Sequence, residues 1–318
     1  MAGELAANPN LVAARADKLV LHSPVHFLRG LPLAPQQQRY GTGAAARFGK
    51  QVGEEVLPTA HSLAAQWLLQ HLAWDSDYFG TPTYRLFTGL FAEGSLTAEL
   101  ARAAADLRQT LAGRGSFYAF SVVPAEDTQL LQALTGGGWQ LIETRLNFYC
   151  PVAEAQLPPP APVRLARPDE ATYVGRIAAA ARNDYDRFHA DPWFGPARAD
   201  AFLARYAEAA VGGSYADAVL LPDEPGLPVD AFLAIGDSPA LPDLPGSATS
   251  RVLLTAVGPL NRGWHLKLVA ETVRRAASLQ HTYVLMTTQA TNRAVFRTCE
   301  KLGFRLGSTT HVLSCSGA

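Results

Sequence analysis

Apolar residues along this chain recur with two spacings, and the switch between them predicts its elements. From His61, HSLAAQWLLQHL carries apolar residues at helical spacing. WDSDYFG follows as a polar and aromatic turn, and YRLFTGLF reads as a strand. SLTAELARAAADLRQTLAGRG reads as a helix, with Ser95 as a candidate N-cap and Gly113 near its stop. SFYAFSVV is a strand, AEDTQLLQALTGGG a short helix, and WQLIETRLNFYC a strand with partial alternation. The glycines of TGGGW, Thr135 to Trp139, stand at a helix C-terminus. Carbonyls face outward there, so they predict a helix stop and not a phosphate loop.

PVAEAQLPPPAPV interrupts this pattern with three consecutive prolines, which favour an extended linker. The predicted boundary falls here, between a domain over 59–157 and a second over 158–318. The second domain reads strand, two helices, three strands, helix, strand, helix, strand. Pro168 and the acids behind it mark the first helix start. DRFHADPWFG, between the two helices, reads as a loop. Residues 1–58 form an extension of unknown role with neither period. Phe27, Leu28, Leu31 and Leu33 would be costly to leave in water, which argues for a packed arm; a floppy tail is the alternative.

The chain has 318 residues, which suits two domains. Its hydrophobic share of 48% can fill real cores, and its net charge of −1 gives no reason to expect a nucleic-acid or anionic-membrane partner. Cys150, Cys299 and Cys315 are odd in number and lack paired spacing, so neither a disulfide framework nor a metal site is expected. The start has no basic and apolar leader, and no apolar run reaches about 18 residues, so the expected location is cytoplasmic. His22, His26, His61 and His71 are read as structural. Asp75 and Asp77 are read as a capped turn, with substrate positioning as the alternative.

Two junctions carry chemistry. In TAVGPLNRGWHLKLVAETVRRA a strand turns into a long helix. The free N–H groups of a helix start, with its dipole, favour an anion there. Around this junction stand Thr255, Ala256, Val257, Arg262, Gly263, Trp264, His265, Leu266 and Lys267 and, further on, Asn292. The second junction is TTQATNRAVFRTCEKLGFRLGSTTHVL. The plain alternative at the first is a solvated strand-to-helix turn; at Asn292 it is a helix N-cap.

Together these junctions resemble the GNAT (N-acetyltransferase) superfamily. Val257, Pro259, Arg262 and Gly263 match its pyrophosphate loop, whereas His265 and Lys267 replace two small residues. Asn292, Ala294, Glu300, Lys301, Gly303 and Phe304 match its second signature. The resemblance implies an α/β (α+β) GNAT fold, a mixed central sheet flanked by helices, with a preceding incomplete GNAT-like domain. It implies acetyl-CoA as co-substrate, with Thr255, Ala256, Val257, Arg262, Gly263, Trp264, His265, Leu266, Lys267 and Asn292 as the residues that bind it, no metal, and transfer of an acetyl group to an amine. A strand N–H near Thr255 and Ala256 would polarise the thioester carbonyl. Cys299 stands where many members carry the tyrosine that acts as acid; an inert packing thiol is the alternative.

WDSDYFG, RFHADPWF and TTQATN resemble two-domain sugar-amine acetyltransferases of the dTDP-fucosamine type. That likeness points to Tyr185, Arg187, Phe188 and Trp193 as substrate-facing residues, and to His189 or Asp191 as the base. The partner it implies is a small-molecule amine, with a homodimer as a further expectation. The reading from another class is a degenerate GNAT-fold binding or scaffold protein.

Overall fold

A computed structural model describes residues 5–59, 64–181 and 183–317. The chain forms two compact units. One holds the described residues up to Thr144 together with those from Thr309 on; the other is Arg145–Ser308.

The first unit opens with four short helices, α1 (Pro9–Ala14), α2 (Ala16–Leu19), α3 (Leu33–Tyr40) and α4 (Thr42–Arg47). Strands β1 (Glu54–Pro58) and β2 (Ala65–His71) follow, then α5 (Ala73–Phe79), β3 (Thr83–Phe91), α6 (Thr97–Ala112), β4 (Phe117–Pro124), α7 (Thr128–Gly136) and β5 (Gln140–Pro151). The second unit contains β6 (Val163–Leu165), α8 (Ala171–Ala180), α9 (Arg187–Ala190), α10 (Pro196–Val211), β7 (Ala218–Pro222), β8 (Ala231–Ser238), β9 (Thr249–Val257), α11 (Trp264–Ser278), β10 (Tyr283–Gln289) and α12 (Arg293–Leu302). Strand β11 (Arg305–Gly317) ends the described chain.

In the second unit the sheet order is β5-β10-β9-β8-β7-β6. Strand β8 shows why it folds this way. Ala231, Leu233 and Ile235 enter a core with α11 and α12, while Phe232 and Ala234 enter another with α8 and α10. Alternate residues of a strand face opposite ways, so one apolar strand serves both layers. The element order matches the sequence reading, with α9 as one short turn inside the expected loop.

In the first unit the order is β1-β2-β3-β4-β11. Here two expectations are corrected, and the choice left open for residues 1–58 falls to the packed arm. The segment expected as a helix is strand β2 over Ala65–His71; His61 lies outside the described residues. Trp67 and Leu69 pack against α6 and α7, and Leu68 packs against α1, α2 and α4. A strand buried on both faces reads as a continuous apolar run, which periodicity does not separate from a helix. WDSDYFG is helical, as α5, and closes on Gly80 in the left-handed region (φ 63°). Residues before 58 are no appendage: Leu11, Val12, Leu19, Ala45 and Phe48 share a core with Val56, Leu68 and Leu90.

The units also divide differently from the expected boundary near 158. The end of β5 pairs with β10, and the end of β11 pairs with β4, so the divisions fall inside two strands. The proline segment is strapped onto α11: Arg274 donates to the Pro158 carbonyl, and the Ala161 N–H donates to Glu271 Oε1 at 2.8 Å. Among the described residues no helix is long and apolar enough to cross a membrane.

Candidate active site

The site of the second unit begins where two strands part. β9 and β10 run parallel and pair only from Thr249↔Tyr283 to Val252↔Met286. Beyond that point β9 continues to Val257 and β10 to Gln289 without pairing to each other. On its other side β9 pairs with β8 through a bulge, since Val252 faces Ile235 and Leu254 faces Ala234. Leu253 is the extra residue. A bulge bends and twists its strand, and this one sits at the point of parting. The result is a gap edged by the β10-facing side of Leu253 to Val257, which includes Thr255, Ala256 and Val257; on its other side β9 stays paired to β8 from Leu254 to Val257.

The gap leads into the loop before α11. Gly258 donates to the Asp230 carbonyl at 2.7 Å, and Leu260 N–H donates to Asp230 Oδ2 at 2.9 Å. Asp230 N–H in turn donates to Asn261 Oδ1 at 2.7 Å. A Cβ on Gly258 would lie 2.2 Å from Asp230 Oδ2, so any larger residue would have to displace the carboxylate that holds this loop. Gly263, with φ 88°, sets the chain into α11. Trp264 anchors that helix in the core at 4% exposure. The N–H groups of Trp264, His265 and Leu266 are first-turn donors with no carbonyl inside the helix to meet.

The two unusual side chains of this loop are engaged elsewhere. His265 turns to α12, where its Nδ1 lies 3.0 Å from Thr298 Oγ1. Its Nε2 is buried without a partner. Burial pushes its pKa down to about 4, so it is neutral near pH 7. Lys267 sits 3.3 Å from Glu224 and 4.2 Å over the Trp264 ring. Arg262 is exposed, and Leu266 packs against the core.

On the β10 side, Asn292 caps α12 by accepting from Val295 N–H at 3.2 Å. Its own N–H donates to the Gln289 carbonyl at 2.9 Å. The Gln289 side chain accepts from Asn183 Nδ2 at 2.8 Å. That bond ties the loop between α8 and α10 to the open end of β10. The sequence reading missed Asn183, Gln289, Asp230 and Leu253. A bulge leaves no mark in composition, and the first three act through partners far along the chain.

Within the loop, Asp186 caps α9, accepting from Phe188 and His189 N–H at 2.8 and 3.1 Å. The His189 ring lies 2.8 Å from Asp186 through Nδ1 and 2.8 Å from Asp200 through Nε2, with its side chain 0% exposed. Burial opposes charge on this ring, but hydrogen bonds to Asp200 and Asp186 outweigh it and raise its pKa. Asp191 is buried and accepts from Trp193 N–H at 3.0 Å. Phe188 meets Phe194 edge-on and Phe202 at a tilt, with the Arg187 guanidinium over its ring at 4.4 Å. Tyr185 is 60% exposed and Trp193 half-buried.

Cys299 departs furthest from its expected role as an acid. It is 1% exposed inside the core under α11 and α12. Burial, and then nearby Cys150, push its pKa up to about 12. In the sequence it stands in the signature; in the structure it packs.

No protein-family model and no curated protein matches the chain. Its fold is similar to that of a GCN5-related N-acetyltransferase from Sphaerobacter thermophilus, with TM-score 0.55 and 11% identity over 98% of this chain and 96% of that one. It is similar to a tandem GNAT protein from the clavulanic acid biosynthesis pathway, with TM-score 0.51 and 16% identity over 99% and 97%. A glucosamine N-acetyltransferase region of a fungal multi-domain β-N-acetylglucosaminidase gives TM-score 0.52 and 13% identity, covering 79% of this chain and 31% of that one. The fold is therefore the GNAT fold, a mixed sheet flanked by helices; at these identities the likeness is one of fold.

Proposed function

We propose that the second unit is an N-acyltransferase that uses acetyl-CoA and acetylates a small amine. The observation that carries this reading is the gap between β9 and β10, which opens at a bulge and runs into a loop closed by Gly263 at a helix start. The first-turn N–H groups of α11 suit a pyrophosphate, and Arg262 adds an exposed cation beside them. His265 and Lys267 are drawn to Thr298 and Glu224, which supports the loop keeping its backbone accessible. Asn292 uses its Oδ1 as a helix cap, so its amide group is the part that would meet the pantetheine arm.

Bound there, acetyl-CoA would supply an activated acyl carbon; the amine nitrogen would form the new bond to it as the bond to sulfur breaks, and the proton lost by the nitrogen balances the departing thiolate, which leaves as the thiol. The chain's own contribution is alignment. Backbone groups of Thr255, Ala256 and Val257 edge the gap, and an N–H among them would hold the carbonyl oxygen. The loop pinned by Asn183 would present Tyr185, Arg187 and Trp193 to the amine. His189, held by two carboxylates, is read as a positioning residue, as is Asp191. Cys299 is read as packing. Most of the rate gain would then come from holding amine and thioester together.

For the acceptor we propose the amino group of a nucleotide-linked sugar, on the strength of the aromatic and cationic side chains in that loop. Calorimetric titration of acetyl-CoA, followed by an acceptor screen, tests the reading. Binding with turnover on an amino-sugar nucleotide is the expected result. No binding would overturn it. Binding without turnover on any amine would favour the second reading, a non-catalytic GNAT-fold module. That reading draws on the Asp230 carboxylate already taking the Leu260 N–H.

A further inference from the structure

The first unit repeats the strand register that opens the gap of the second. β3 and β4 run parallel and pair only from Thr83↔Tyr118 to Leu86↔Ser121. β3 then continues to Phe91 and β4 to Pro124. A bulge stands at the point of parting, since Leu69 faces Leu86 and Leu68 faces Thr88, leaving Phe87 extra. Thr83, Arg85 and Tyr118 thus occupy the register of Thr249, Arg251 and Tyr283. Asp127 follows Tyr118 by nine residues and caps α7; Asn292 follows Tyr283 by nine and caps α12. Gly138 and Gly303, each eleven residues further, both stand in the left-handed region.

This gap has an occupant. Arg15, between α1 and α2, is 5% exposed. Its Nε donates to the Gly89 carbonyl at 3.3 Å, and its Nη2 donates to the Asp127 carboxylate. Its guanidinium carbon lies 4.1 Å from the centre of the Phe91 ring. Gly89 and Phe91 lie past the last β3–β4 pair, and Asp127 heads the helix after β4. The side chain therefore spans the gap from one parted strand to the far edge. A buried guanidinium is tolerated when carboxylate, carbonyl and ring face meet it together, as they do here. Leu11, Val12 and Leu19 on the flanking helices share a core with Leu68 and Leu90, which holds those helices on the sheet.

The geometry points to Arg15 as a built-in occupant of the first unit's acyl-donor gap, so that the chain takes up one acyl-CoA and not two. This rests on the proposed role of the β9–β10 gap. It gives the segment before 58 a function: it fills and closes a slot that the repeat would otherwise leave open. The repeat also shows that Gly89, whose carbonyl faces the gap, has Thr255 as its counterpart.

Two measurements on the full chain test it. Hydrogen exchange is compared between the wild type and Arg15→Met, which keeps an apolar stem. Losing one partner of a buried pair should speed exchange of residues 87–91 by on the order of 100-fold, with β9 unchanged. Equal exchange at 87–91 overturns the proposal. Should Arg15→Met not fold, Asp127→Asn keeps the helix cap and removes the charge, with the same expectation. Calorimetry of the wild type should give one acetyl-CoA per chain, and two would overturn the plug. No binding at all would sink the proposed role of the second unit, while the exchange result still decides whether Arg15 holds the first.

Discussion

Asn183 donates its side-chain amide to Gln289 Oε1 across 2.8 Å, joining the loop after α8 to the last residue of β10. This bond fixes the loop at the mouth of the gap. Asn183→Ala should raise the KM for the amine several-fold and leave the acetyl-CoA Kd unchanged. A shift in the acetyl-CoA Kd by calorimetry, with an unmoved amine KM, would contradict this role.

Asn292 combines a structural duty with a proposed binding one, and the two can be separated. Asn292→Ala loses the cap and should cost about 1 kcal/mol of stability. Asn292→Ser keeps a capping oxygen but no amide, so stability should be nearly retained. Loss of one hydrogen bond should still weaken acetyl-CoA about tenfold. Thermal melts and calorimetry on both variants check this.

The pH dependence of the loop follows from His189. Both ring nitrogens face carboxylates, Asp186 and Asp200, at 2.8 Å. A neutral ring donates from one nitrogen only, so both bonds call for the imidazolium. The folded pKa is raised above its ordinary value. Its contribution to stability is therefore complete below the unfolded pKa of about 6.5 and lost as pH rises through the folded one. Against His189→Gln, the wild type should lead in denaturant midpoint at pH 5.5 to 6 (roughly the region below that value), and the lead should shrink towards alkaline pH. A lead that grows with pH would refute the assignment.

The three cysteines are buried, and the Cys150 and Cys299 thiols are pushed up to about 11 and about 12. Thiolate is the reactive form. A thiol reagent at neutral pH should therefore label none of the three rapidly in the native chain and all three in denaturant. Cys299→Ala should lower stability by about 1 kcal/mol and leave kcat unchanged. A large fall in kcat at constant stability would restore the acid role.

Much of the second unit is legible in the sequence, because its strands and helices each carry a local pattern bounded by prolines and glycines. Gly263 is legible as part of the loop, Gly303 as part of the second signature, and Asn292 as a cap. The first unit was less so. Trp67, Leu68 and Leu69 serve two cores at once, and that erases the alternation by which a strand is read. The helices before Arg47 are short and draw their stability from packing on β2 and β3, so little of them shows in local periodicity.

Sequence alone thus determined the order of elements in the second unit, the loop before α11 and the residues at its helix starts, since these depend on neighbours a few positions away. Tertiary structure decided what the side chains there do. It turned His265 to Thr298, sank Cys299 into the core and tied Asn183 to Gln289. It also brought Arg15 to Asp127, 112 residues along the chain. Such pairings are set by the register of strands and the packing of layers, which no local window of residues contains.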